Sequence, residues 1–302
     1  MMRVTPSYRG PMTFNSGSQL DPDRVQRRGP GKGVAVGGGI GALLVALFAA
    51  LTGTGTLDLS SLTDQDQSAN AQAASTCLTG ADANQSAECR YVATVESLDS
   101  YWTQTLPAQT GVRYTEPTAV SFSGSTSSPC GTASSATGPF YCPSDQTVYL
   151  DVGFFDQLTS QYGSSGGPLA QEYVVAHEVG HHVQDLTGVL DRSGGQQVGA
   201  GEGSVRTELM ADCLGGMWAR GAATTLDASG TTFLEPLTEQ DIADALSAAA
   251  SVGDDRIQQA ATGQVDPDSW THGSSAQRDA AFRLGYQSGQ YDQCARILTE
   301  RL

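Results

Sequence analysis

Apolar residues recur at helical spacing between Glu88 and Leu106, where Val92, Val95, Leu98 and Trp102 line one face. Val112 to Phe122 and Thr147 to Val152 read instead as strands, the second rich in β-branched and aromatic residues. The polar stretch between them, SGSTSSPCGTASSATGPFYCPSDQ, reads as a loop. Helical patterns then follow one another. Pro168 to Leu186 carries Pro at its first position and is closed by Gly188, and Ser204 to Arg220 is closed by Gly221. Thr238 to Ser251 opens with Thr238 and Asp241 in capping-box spacing, and Ser274 to Gln287 repeats the device with Ser274 and Gln277. Tyr291 to Leu302 is the last. A few strands followed by a run of helices predict an α+β fold, a small β-sheet packed on a mainly helical domain.

One pattern upstream is different. Val34 to Leu51, VAVGGGIGALLVALFAAL, has no charge and is about as long as the shortest bilayer-spanning helix. Arginines crowd its N-terminal side, and no Lys or Arg follows until Arg90, so the positive-inside rule places the N-terminus in the cytoplasm. A cleaved signal peptide is one alternative, although no small-x-small site closely follows the run. A Gly-rich linker is another, given Gly37, Gly38 and Gly39. The expected order is a basic cytoplasmic tail (1–32), a single transmembrane anchor (33–51) and a flexible spacer (52–75). An extracytoplasmic domain (76–302) follows, long enough for one core.

Charge sharpens this division. The net charge is −16, but residues 1–32 hold six basic residues against Asp21 and Asp23, a balance of +4 that leaves −20 for the rest. So acidic a surface repels phosphate backbones and argues against nucleic acid as a partner of the folded part. All six cysteines, Cys77, Cys89, Cys130, Cys142, Cys213 and Cys294, lie beyond the apolar run, the pattern of three disulfides in an exported domain. Close spacing favours Cys77–Cys89 and Cys130–Cys142, leaving Cys213–Cys294. No CxxC pair recommends them as metal ligands.

The chemistry is concentrated in two segments. His177-Glu178-Val179-Gly180-His181 is HExxH on a predicted helix, so both imidazoles leave one face and grip one ion. Glu178 points about a quarter-turn aside, placed as a general base. By itself the motif also fits a surface helix with satisfied histidines. Glu208-Leu209-Met210-Ala211-Asp212, on a second predicted helix, changes the balance. Glu208 supplies a third ligand and leaves a fourth position open, while Asp212, one turn on, is placed to accept a hydrogen bond from a ligating histidine. Of the other histidines, His182 faces away and reads as structural or supporting. His272 is a candidate to stabilise the oxyanion of a tetrahedral intermediate, with Arg256 and Tyr149 as rivals.

GPFYCPSDQTVYLD (138–151), AHEVGHHVQ (176–184), ELMADC (208–213), GDDR (253–256) and THGSSAQR (271–278) together resemble the bacterial neutral zinc metallopeptidase family, and HExxH with ExxxD resembles the glutamate-type zincins. The resemblance extends over nearly the whole chain, including LDPDRVQRRG (20–29). It implies a zincin-like fold, one zinc per chain held by His177, His181 and Glu208, a peptide or protein substrate, and a single N-terminal membrane span. It also implies an edge strand that pairs with extended substrate, for which Thr147 to Leu150, with Tyr149, is the candidate. The expected activity is a zinc metalloendopeptidase. A non-catalytic zinc-stabilised envelope protein and a zinc amidase acting on cell-wall peptide are the alternatives. Oligomeric state and side-chain preference leave no signature.

Overall fold

A computed structural model of the chain describes residues 13–28, 77–134, 137–192 and 203–300. Among them, the elements run β1 (Val25–Arg28), α1 (Ala87–Thr110), β2 (Thr118–Phe122), β3 (Ser125–Ser128), β4 (Gly131–Ser134), β5 (Phe140–Cys142) and β6 (Thr147–Asp151). Helices α2 (Phe154–Ser160), α3 (Pro168–Leu186), α4 (Gly203–Gly221), α5 (Glu239–Ser251), α6 (Asp254–Thr262), α7 (Ser275–Ser288) and α8 (Tyr291–Arg296) follow, and single helical turns stand at Gly80–Ala83 and Val189–Arg192. This mixture of a small sheet and many helices is the expected α+β class. The apolar run Val34–Leu51 and the spacer 52–75 lie outside the described residues. Among the described residues no helix is long and apolar enough to cross a membrane.

Start signals in the sequence map directly onto helix ends. Pro168 occupies the first turn of α3, where its missing N–H costs nothing. Thr238 and Ser274 each close a capping box, with Asp241 and Gln277 respectively. The disulfides are Cys77–Cys89, Cys130–Cys142 and Cys213–Cys294. The last ties α4 to α8.

The sheet order is β1-β2-β6-β5, with β1, β2 and β6 parallel and β5 antiparallel to β6. Two expectations are corrected here. Thr147–Leu150 is not an edge: β6 is paired by β2 on one side and β5 on the other. Residues 13–28 are not a separate tail, because β1 pairs along its whole length with β2 and Phe14 is 1% exposed in the main core. The folded unit therefore includes these residues and does not start at 76.

Close backbone approach sets the helix layer. A Cβ on Gly180 would sit 2.9 Å from the Ala211 carbonyl oxygen, so glycine within HExxH lets α3 and α4 cross in contact. Gly285 does the same between α7 and α4, where a Cβ would fall 1.8 Å from the Cys213 carbonyl oxygen. Helix α3 is thus wedged between α1, α4 and α5.

The N-terminal segment reaches that helix directly. The Thr13 hydroxyl donates to Glu172 on α3, a fully buried carboxyl with the Arg90 guanidinium 4.0 Å away. Burial pushes the Glu172 pKa up to about 7, against the pull of Thr13 and Arg90. The native state then binds more protons than the unfolded chain between the ordinary value of 4.5 and about 7. Stability must fall as pH rises through that window, by up to about 3 kcal/mol. Glu172→Gln should flatten this slope in urea unfolding measured from pH 4.5 to 8. An unchanged slope would mean that Glu172 stays ionised beside Arg90.

Candidate metal centre

Helix α3 presents His177 and His181 one turn apart, and α4 brings Glu208 across from them. The Glu208 Oε2 atom lies 3.1 Å from His177 Nε2 and its Oε1 atom 3.5 Å from His181 Nε2. One donor atom from each of the three residues falls within 4.8 Å of the others. Two imidazole nitrogens and a carboxylate are the donor set of a catalytic zinc site that keeps a fourth position open.

Both rings are turned so that Nε2 faces the shared point. His177 Nδ1 donates to Asp212 Oδ1 at 2.7 Å, the arrangement expected from the ExxxD spacing. His181 Nδ1 donates to Gln184 Oε1 at 2.9 Å, and the Gln184 amide nitrogen in turn donates to the Thr207 carbonyl at 2.7 Å, which fixes the amide's orientation. With each Nδ1 proton engaged outward, a metal that displaces the Nε2 protons would meet two lone pairs, the form it requires.

Asp212 is held in place by more than the histidine. Arg278 on α7 forks onto it, Nε to Oδ2 at 2.8 Å and Nη2 to Oδ1 at 2.9 Å, and Nη2 also donates to the Tyr173 hydroxyl at 3.1 Å. The Tyr173 hydroxyl donates onward to Asp212. Burial would raise the Asp212 pKa, but Arg278 and His177 outweigh it and hold the carboxyl down at about 2. Burial likewise disfavours charge on His177, yet Asp212 and Glu208 raise its pKa to about 10. Glu208, despite burial, is held well below the usual range by His181 and His177. In each case an oppositely charged partner at hydrogen-bond distance outweighs burial, lowering the two carboxyls and raising the imidazole.

Glu178 and His272 line the same cleft as the three donors. His272 arrives on the loop before α7, and Asp254 at the start of α6 organises that loop. Its Oδ2 accepts from the backbone N–H groups of Thr271, His272 and Gly273 at 2.8, 2.7 and 3.0 Å. Phe154, Tyr162, Val174, Val252 and Ile257 form an apolar wall beside the polar residues.

The other candidates fall elsewhere. Arg256 is exposed and does not line the cleft. Tyr149 is also corrected. It is buried on the central strand, stacked on Phe140 with ring centroids 5.0 Å apart, and its hydroxyl donates to Asp145 at 2.8 Å. His182 turns toward the sheet, as expected of a structural histidine, with Nε2 2.6 Å from the Thr115 carbonyl. Sequence reasoning missed Arg278, Tyr173, Gln184 and Asp254. Tyr173 and Gln184 sit at i−4 from His177 and i+3 from His181, a spacing that predicts contact on a helix.

Comparison with known proteins agrees with this geometry. "Uncharacterized protein Rv2575" of Mycobacterium tuberculosis is 52% identical over 241 residues, 80% of this chain and 80% of that one. "Uncharacterized protein Mb2605" of Mycobacterium bovis matches to the same extent. "Uncharacterized protein YpfJ" of Escherichia coli is 43% identical over 189 residues, 61% of this chain and 62% of its own. No solved structure matches. The family described as "Putative neutral zinc metallopeptidase" matches residues 16–297, and with the histidines, Glu208 and their supporting groups all inside that span, the chain belongs to it.

Proposed function

We propose that the protein is a zinc-dependent metallopeptidase of zincin-like design that hydrolyses internal peptide bonds. The observation that carries this is the convergence of His177 Nε2, His181 Nε2 and Glu208 on one point, with Glu178 lining the same cleft. His177, His181 and Glu208 would hold one zinc per chain. When bound, the metal supplies a Lewis acid that polarises the scissile carbonyl and acidifies water.

Every other part of the reaction falls to side chains. Glu178 takes a proton from the attacking water and passes it to the leaving amine. His272, fixed by the Asp254-organised loop, faces the carbonyl oxygen as negative charge builds there. An extended peptide adds along β5, the end strand of the sheet, where Phe140 and Tyr141 border the cleft. The apolar wall of Phe154, Val174, Val252 and Ile257 then takes a large apolar side chain next to the scissile bond. A purely structural zinc is disfavoured because the cluster offers three donors, not four, among the described residues.

The test is zinc content beside cleavage of a peptide library by the full chain. The expected result is one zinc per chain, cleavage before or after large apolar residues, loss of activity with a chelator and recovery on adding zinc. Metal-loaded protein that cleaves cell-wall peptides but no library member would move the assignment to an amidase. Protein that takes up no zinc would overturn it.

A further inference from the structure

The arginines that suggest a cytoplasmic tail are used within the fold. Arg24 Nε pairs with Asp99 Oδ2 at 2.7 Å, and its Nη2 donates to the Pro117 carbonyl at 2.9 Å. Arg27 Nε pairs with Glu88 Oε1 at 2.9 Å. The Arg28 guanidinium lies over the Tyr149 ring, 5.4 Å from its centroid. Three of the six basic residues before the apolar run therefore have partners on the far side of that run in sequence. As a cue for membrane orientation, the charge excess is correspondingly weak.

Backbone contacts bind the same segment at both ends. Phe14 bridges Leu234, Gln19 bridges Thr79, and Val25 to Arg28 pair in register with Ala119 to Phe122. The Leu20 amide donates to the Leu78 carbonyl at 2.9 Å and the Gly80 amide to the Ser18 carbonyl at 3.0 Å. Beyond the run the described chain resumes at Cys77, whose sulfur is 3.5 Å from Arg27 Nη2. A single crossing between Arg28 and Cys77 would hold these neighbours apart by a hydrocarbon layer of about 30 Å. It would leave β1 unpaired and Arg24 and Arg27 without their carboxylates. The fold and the single crossing exclude each other.

We infer that residues 13–28 lie on the same side of the membrane as residues 77–302, so that Val34–Leu51 does not act as a single crossing in the folded protein. Three disulfides put that common side in an oxidising compartment.

The experiment uses the full chain with one epitope after Met1 and a second after Leu302, expressed in cells converted to spheroplasts. Impermeant antibody is applied before and after permeabilisation. Both epitopes should be reached together before permeabilisation. A C-terminal epitope reached while the N-terminal one stays protected would overturn the inference, and both staying protected would overturn the placement of that common side in an oxidising compartment. Hydrogen exchange on the purified full chain gives an independent reading. Slow exchange is expected of the alternate amides within residues 25–28 that face β2, and exchange of all of them at unstructured rates would overturn the docked strand on which the inference stands.

Discussion

Replacing Glu178 by Gln should leave zinc bound and reduce peptide hydrolysis by at least 10²–10⁴-fold, the usual contribution of a positioned general base. The two halves of this result have separate origins. Metal retention should rest on His177, His181 and Glu208, and the two imidazoles are oriented by Asp212 and Gln184 and not by Glu178. Glutamine preserves the size and polarity of the side chain on α3, so the crossing of α3 and α4 at Gly180 is undisturbed. What disappears is the ability to accept and return a proton. The loss should therefore fall on kcat, with zinc stoichiometry and unfolding midpoint close to those of the parent. His177→Ala would behave differently, losing the metal together with activity. A Glu178→Gln protein that is fully metal-loaded and still turns over would assign the base to another group.

The residues of this centre were legible to very different degrees. HExxH and ExxxD could be read because an α-helix converts a four-residue spacing into one face, so sequence distance predicts spatial distance. The ends of α3 were equally readable, since Pro168 and Gly188 punctuate the backbone chemically. Long-range partners carry no such local rule. Arg278 reaches Asp212 over 66 residues, and in SSAQR it reads as an ordinary surface arginine on a helix. Asp254 in GDDR carries no local cue of its partners, yet its oxygen organises three amides of a loop 17–19 residues away.

The sheet shows the same limit from the other side. Thr147–Asp151 was recognisable as a strand, but its place in the sheet depends on neighbours that the sequence disguises. β5 is three residues of Phe, Tyr and Cys inside a glycine- and serine-rich stretch, too short for any alternation to register. β1 is Val-Gln-Arg-Arg, with a single apolar residue, and nearby arginines before an apolar run fit a topological rule that local pattern cannot distinguish from ion pairing. Seeing both strands moves the edge of the sheet from β6 to β5 and turns the N-terminal basic segment into part of the domain.

Arg278 gives the sharpest test of whether the supporting layer matters. Arg278 is 3% exposed and its Asp212 partner fully buried, so Arg278→Met leaves a carboxylate in the interior with one charged partner removed. Breaking a buried pair in this way costs about 3–5 kcal/mol, far more than loss of a surface ion pair. The Tyr173 hydroxyl loses a donor at the same time, and Asp212 is freed to turn away from His177 Nδ1. Zinc affinity should fall by about 10–100-fold, the usual effect of disturbing a ligand's hydrogen-bond partner. Asp212→Asn should give a similar loss of zinc affinity while keeping most of the side chain's shape. Because the two residues act through one contact, the double variant should cost less than the two single changes added together. Urea unfolding and competition with a chromophoric chelator measure the two effects separately. Additive costs, or an Arg278→Met protein that binds zinc as tightly as the parent, would show that α7 merely packs against the metal centre and does not hold His177 in its liganding pose.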